Sequence, residues 1–171
     1  MTYEREMNIV CPEKINAIEF LPDRSVIAIS LSDHTIRFYE LKNGSSRFRK
    51  TLNVPSTILC MAYVKRRKKE LLFSGGVQCI IYCWNVELIF SAEFDPQPGD
   101  PGYSNNNDDG SKKSDNRELM QDKQKKEYVT YICENTPWFL YDFVLCMKYL
   151  PNINQLATGD YHKRIKLWDL R

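Results

Sequence analysis

Two histidines and seven glycines in 171 residues leave little material for most catalytic chemistry. His34 and His162 each sit in a short polar turn between apolar runs. No Ser-His-Asp set, Gly-rich phosphate loop or metal-ligand spacing can be read along the chain. The acids Asp23, Asp33, Glu40 and Asp169 fall at turns or run ends, where Asp is an ordinary turn residue. Neither an enzyme nor a bound cofactor is expected.

An excess of charge of one sign is missing too. Lys and Arg number 24 against 22 Asp and Glu, a formal net charge of +2. That is too weak a field to hold nucleic acid or an acidic membrane, so neither is expected as a partner. Five consecutive bases, Lys65 to Lys69, fall where a hairpin turn is expected and lack an aromatic stacking platform, so they read as a solvated turn. Long apolar runs are also wanting. The longest zone, Val77 to Phe90, is broken by Gln78, Asn85 and Glu87 and is too short and polar to cross a bilayer. The opening Met1-Thr2-Tyr3-Glu4-Arg5-Glu6 lacks the basic-then-apolar order of a secretion signal, and a cytoplasmic location is expected.

Cysteine is present, at 11, 60, 79, 83, 133 and 146, mostly inside apolar runs where a free thiol behaves as a small hydrophobe. If Ile80-Ile81-Tyr82 is a strand, the rise of ~3.3 Å per residue sets Cys79 and Cys83 roughly 13 Å apart. That exceeds the reach of a disulfide or of one zinc ion. Structural cysteines are therefore expected.

What the sequence does contain is a repeat. Slid by 129 residues, Ile15–Leu41 falls without a gap on Val144–Leu170. Leu21-Pro22 meets Leu150-Pro151, and Ile36-Arg37-Phe38-Tyr39 meets Ile165-Lys166-Leu167-Trp168. A third copy, Ile58–Val86, lies between them with two extra residues in its basic turn. Each copy has three short apolar runs separated by turn residues, the grammar of an antiparallel meander. The runs are near-continuously apolar, as strands buried on both faces would be.

A period near 43 with an aromatic-acid pair closing the third run resembles the WD-repeat family of β-propellers. The resemblance is carried by Leu156-Ala157-Thr158-Gly159 with Trp168-Asp169, and more weakly by Ser74-Gly75-Gly76 with Trp84-Asn85 and by Tyr39-Glu40. It covers roughly residues 15–94 and 138–171. It implies an all-β chain of antiparallel four-stranded blades in an incomplete, open propeller of about three repeats. The layout expected is a lead-in over 1–14, repeats over 15–57 and 58–94, a disordered polar insertion over 95–127, and a β segment with the third repeat over 128–171. In that layout Tyr128–Cys133 pairs with Leu88–Phe94, and the third repeat lacks its last strand. The family's usual turn Asp is matched by Asp33, but Gln78 and His162 stand in its place in the other copies, and no Gly-His dipeptide exists. The repeat signature is thus Asp33, Tyr39, Trp84, Trp168 and Asp169, and packing is expected to outweigh the family's hydrogen-bonded set.

The resemblance implies a non-catalytic scaffold for other proteins. The expected chain is a fragment or short isoform of a longer WD-repeat protein. Its partners would be other proteins, the missing blades of its own full-length chain, or a second copy joined through open blade edges. The closing Trp168-Asp169-Leu170-Arg171 also matches the WD-x-Arg pattern of substrate receptors for cullin-4 ubiquitin ligases, which would place Arg171 on the ligase adaptor. Divergent, Tyr- and Cys-rich repeats further resemble the large WD-repeat proteins of cilia and flagella, implying a ciliary or flagellar variant of the cytoplasmic location.

Overall fold

Each short apolar run, rich in β-branched and aromatic residues, forms a strand, and each polar turn folds it back on its neighbour. The computed structural model describes residues 7–66, 69–78, 80–91, 129–131 and 143–170. β1 (Ile15–Leu21), β2 (Val26–Leu31), β3 (Thr35–Lys42) and β4 (Ser45–Asn53) make the first sheet, paired antiparallel in chain order. β5 (Ile58–Arg66), β6 (Lys69–Gly76), β7 (Ile81–Asn85) and β8 (Val129–Tyr131) make the second. β9 (Val144–Leu150), β10 (Gln155–Asp160) and β11 (Ile165–Asp169) make the third, which has three strands among the described residues. The first strands lie side by side, β1 against β5 and β5 against β9, so the sheets stack as consecutive blades around a common inner edge.

The repeat seen in the sequence recurs in backbone detail. Ser25 and His34 have positive φ at 51° and 61°, and so do Asn154 and Lys163, each 129 residues on, at 54° and 64°. Ser25 N–H donates to Pro22 O at 3.2 Å, and Asn154 N–H to Pro151 O at 3.3 Å. Two copies that share so few residues therefore close the same turns. The β3–β4 hairpin is new to the structure. Asn43 and Gly44 have φ of 51° and 70°, the doubly left-handed pair that a two-residue hairpin requires.

Each blade has two faces. The leading face of blade 1, with Ala28, Ile36 and Phe38, packs on the trailing face of blade 2, with Leu72, Tyr82 and Trp84, in one buried cluster. The leading face of blade 2, with Ala62, Phe73 and Ile81, packs on Leu156 and Trp168 of blade 3. The fold class inferred from the repeat is the one observed, antiparallel propeller blades, and the near-continuous apolar runs follow from burial on both faces.

One expectation fails. Leu88 does not begin a strand, and β8 pairs with Tyr82–Trp84 of β7. Val86–Ser91 is instead a short helix, α1. The Asn85 side-chain oxygen accepts from the N–H groups of Glu87 at 3.0 Å and Leu88 at 3.3 Å, capping it. Val86 and Ile89, three apart, are buried on its inner side. Phe90 meets Phe38 edge-on at 5.3 Å, and Lys50 Nζ donates to Ile89 O at 2.8 Å, so α1 wedges the outer part of the first seam. Val129–Tyr131 is thus the fourth strand of blade 2, beside β7. The polar insertion of 95–127 lies outside the described residues.

Gly76 marks the tightest point of blade 2. A Cβ there would stand 1.9 Å from the Thr57 carbonyl oxygen, a backbone atom that cannot step aside. Gly76→Ala is expected to destabilise the protein by about 3 kcal/mol or more, read from urea denaturation. An unchanged midpoint would refute the packing described.

Candidate functional site

The residues that the repeat singles out are mostly structural members of the seams. Trp84 is buried, and its indole N–H donates to Ser74 Oγ at 2.7 Å. Trp168 repeats this with Thr158 Oγ1 at 2.8 Å. Ser74 and Thr158 occupy the same place in their copies, and the recurrence of a small hydroxyl residue there is the signal the sequence holds for them. In blade 1 that place is Ile29, on the same face as Tyr39 and two residues from Tyr39's strand partner Ile27, and an apolar cluster replaces the bond. Asp33 closes its turn by accepting from Thr35 N–H at 3.1 Å and Thr35 Oγ1 at 2.6 Å, with Arg37 at 3.8 Å.

In blade 3 the acid of the turn is present two residues earlier than the position occupied by His162. Asp160 accepts from Arg164 N–H at 3.0 Å and Arg164 Nε at 2.9 Å, while His162 is exposed. Burial alone would raise the Asp160 carboxyl, but Arg164 and Lys166 hold it below the usual range. Gln78 of blade 2 accepts from the Tyr82 hydroxyl at 2.7 Å. Asp169 is exposed on the closing strand. Arg171 lies outside the described residues.

The first seam is joined by polar groups as well as by apolar area. Glu19 accepts the Tyr63 N–H at 2.8 Å, and Ser30 Oγ donates to Ile58 O at 2.9 Å. Asp23 accepts from Lys65 Nζ at 2.6 Å and the Tyr63 hydroxyl at 2.8 Å. Those bonds hold the Asp23 carboxyl below the usual range, while burial and Asp23 together push the Tyr63 phenol up. Arg24 pairs with Glu70 and lies 5.1 Å over the Phe90 ring. Lys65, the first base of the expected solvated turn, is thus tied to blade 1; Arg67 and Lys68 lie outside the described residues.

The second seam is closer and less polar. A Cβ on Gly75 would stand 2.9 Å from Val144 Cβ. Cys60 Sγ lies 3.4 Å from Val144 O, and burial pushes its thiol up to about 12. Burial likewise pushes Cys83 up to about 11. Both thiols are protonated at neutral pH, as inert core cysteines should be. The described cysteines are free, and no group of three His, Cys, Asp or Glu able to hold a metal occurs among the described residues. No helix among them is long and apolar enough to cross a membrane.

What the geometry leaves available is the leading face of blade 3. Ile165 is 81% and Leu167 57% exposed. Their counterparts Ile36, Phe38 and Ile81 are 0% exposed, each covered by the following blade. Ala157 and Gly159 pair with Leu167 and Ile165 on this face, and Lys148 and Cys146 flank them on β9. This apolar sheet face is the candidate site.

Ser74→Ala should remove the bond from the Trp84 N–H and cost about 1–3 kcal/mol in urea denaturation, and combined with Trp84→Phe the total loss should be smaller than the sum of the two single changes. Simple additivity of the two changes would count against the bond. Glu19 supplies a pH test. Burial raises its carboxyl above the ordinary 4.5, against Tyr63 N–H and Lys148, which draw it down. Its stabilisation is complete below pH 4.5 and is lost as pH rises through the higher folded value. Glu19→Gln should flatten that fall in stability, measured as melting temperature against pH, and an unaltered slope would assign it elsewhere.

Residues 138–169 match the family model described as "WD domain, G-beta repeat". No curated protein matches the chain significantly in sequence. Among solved structures, the chain is similar to U3-55K, with 15% identity and a TM-score of 0.59 over 95% of this chain and 38% of that one. It is equally similar to the crystal structure of the RRP9 WD40 repeats, with 15% identity and a TM-score of 0.59 over 95% of this chain and 37% of that one. The chain therefore spans well under half the length of the solved chains it resembles. Taken with the stacked antiparallel blades, these matches show a segment similar to one WD repeat, ending with the third blade, and sheets with the fold of WD-repeat β-propellers.

Proposed function

We propose that the chain is a non-catalytic protein-interaction scaffold whose working surface is the leading face of blade 3. The observation that carries this is the exposure of Ile165 and Leu167, set against the full burial of Ile36 and Phe38 in blade 1 and Ile81 in blade 2 and the partial burial of Cys83. A face of this kind takes another β-blade, supplied by a partner protein or by further blades of a longer form of the same polypeptide. The coverage of 38% and 37% of the similar solved chains supports the second source.

Chemistry is not the basis of this reading. The charged groups of the first seam are engaged with one another, and the buried thiols are protonated. Scaffolds of this kind act by shape and apolar complementarity, and large exposed apolar patches mark such interfaces.

Leu167→Asp separates docking from folding. Leu167 touches little, so the substitution should change stability by less than about 0.5 kcal/mol in denaturant. Phe38→Asp, at the equivalent buried place, should prevent folding. In affinity capture, proteins held by the parent chain should be lost with Leu167→Asp. Undiminished capture would sink the proposed surface. A blot of native tissue against the 95–127 segment then identifies the source: a band well above the mass of this chain means that the blades continue in the same polypeptide.

A further inference from the structure

Blades stack through their faces, so the outer edge of a blade is not what a neighbouring blade covers. In blade 1 that edge belongs to β4, the last strand of its sheet, which runs for nine residues over Ser45–Asn53. Ser45, Ser46, Arg47 and Arg49 are exposed along it. The hairpin before β4 closes on Lys42 opposite Ser45, and in a two-residue hairpin that closing pair is the hydrogen-bonded one. Pairs alternate along an antiparallel ladder, so Arg47 bonds inward to β3 while Ser46 turns its N–H and C=O outward. Such an edge is a template for a further strand.

The side chains decide which strand can use it. Arg47 lies opposite Glu40 in the ladder, and Arg49 Nη1 donates to Glu40 Oε2 at 3.1 Å, so both arginines stand on the Glu40 face of the sheet. Lys42 is exposed at the end of the hairpin, and Lys50 is partly buried with its Nζ on Ile89 O. Between Glu40 and Lys50 the chain therefore sets four cations, Lys42, Arg47, Arg49 and Lys50, against the single carboxylate of Glu40. The whole chain carries a formal charge of only +2, so this excess is local to the β3–β4 hairpin.

We propose that the outer edge of β4 takes an extended acidic segment of a partner protein as a fifth strand of blade 1, with carboxylates at alternate positions beside Arg47 and Arg49. The site is separate from the leading face of blade 3 and does not rest on it. Main-chain bonds at the edge supply affinity, and alternate side chains supply choice. A second copy is the wrong occupant. Two β4 edges paired with each other would set these arginines against one another, and like charges directly opposite are destabilising. The same cations turn away a basic strand and draw in an acidic one, so the charge that guards the edge also selects its partner.

The test uses the full chain and a short fluorescent peptide in which Glu alternates with Thr, followed by fluorescence anisotropy. A second peptide has Lys for Glu. Two more keep every Glu and carry N-methyl groups, on the Thr residues in one and on the Glu residues in the other. One of these methylated sets blocks the peptide edge that faces β4, and the other leaves it intact. The Glu peptide should bind and the Lys peptide should not. One methylated peptide should bind about tenfold more weakly and the other as the unmodified one does. Hydrogen exchange should slow over Ser45–Arg49 on binding. Arg47→Glu combined with Arg49→Glu should weaken the Glu peptide by about tenfold and confer binding of the Lys peptide. Ser46→Pro, which removes an outward donor, should weaken the Glu peptide as well. Urea denaturation of each variant checks that the sheet is intact, and the methylated peptides test the edge with the protein unchanged.

Failure of the Glu peptide to bind the parent chain would overturn the inference. So would equal binding of both methylated peptides and the unmodified one, which would reduce the contact to charge attraction alone. Unaltered affinity in the doubly reversed chain, or slowed exchange elsewhere than β4, would also refute it. Leu167→Asp should leave every one of these readings as it is, so loss of partner capture there and loss of peptide binding here report on separate surfaces.

Discussion

Ile36 and Phe38 are wholly buried only because a second sheet lies against them. That dependence governs the whole molecule. A strand alternates its side chains between two faces, and in these blades both faces are apolar, so each blade gains stability from a sheet laid against either face. Burial of one large apolar side chain contributes roughly 1.5–3 kcal/mol, and each seam gathers several of them. Stability thus resides between blades more than within them, as in other repeat arrays.

The two seams meet this requirement differently. The first adds polar links between the blades, from Glu19, Asp23 and Arg24 to the second sheet, and fills its outer gap with α1. The second relies on closeness: Gly75 lets Val144 approach where any side chain would collide. The Trp84–Ser74 and Trp168–Thr158 bonds tie the second and third strands within each blade. In blade 1 that bond gives way to apolar packing of Ile29 and Tyr39, the surface that the lead-in covers.

Function follows from the same constraint. A sheet face that would be buried in the interior of a stack becomes, at its margin, a surface with high affinity for another sheet. On the proposed reading, the exposure of Ile165 and Leu167 is the recognition element, and no reactive group is required.

The three-run repeat, its offset of 129 residues and the antiparallel meander were readable from the sequence, because strand periodicity and turn residues are local properties. The tryptophans could be found in the same way, since a large aromatic at a fixed place in each copy stands out. Their hydroxyl partners leave a fainter mark, a small hydroxyl residue, Ser74 or Thr158, at the same place in two copies and Ile29 in the other. Other features needed the tertiary structure. Leu88–Phe90 looks like strand material until the Asn85 side chain caps a helix and Phe38 offers Phe90 a seat. Asp160 anchors its turn through Arg164, four residues away, from a place two residues off the repeat alignment. The pairing of β8 with β7 spans the whole inserted segment. Nor could the sequence say which copy of a recurring apolar pair is covered. Ile36, Ile81 and Ile165 are equivalent as residues, and only the stacking of the blades decides that two are buried and the third is open to water, because burial belongs to the neighbour as much as to the side chain.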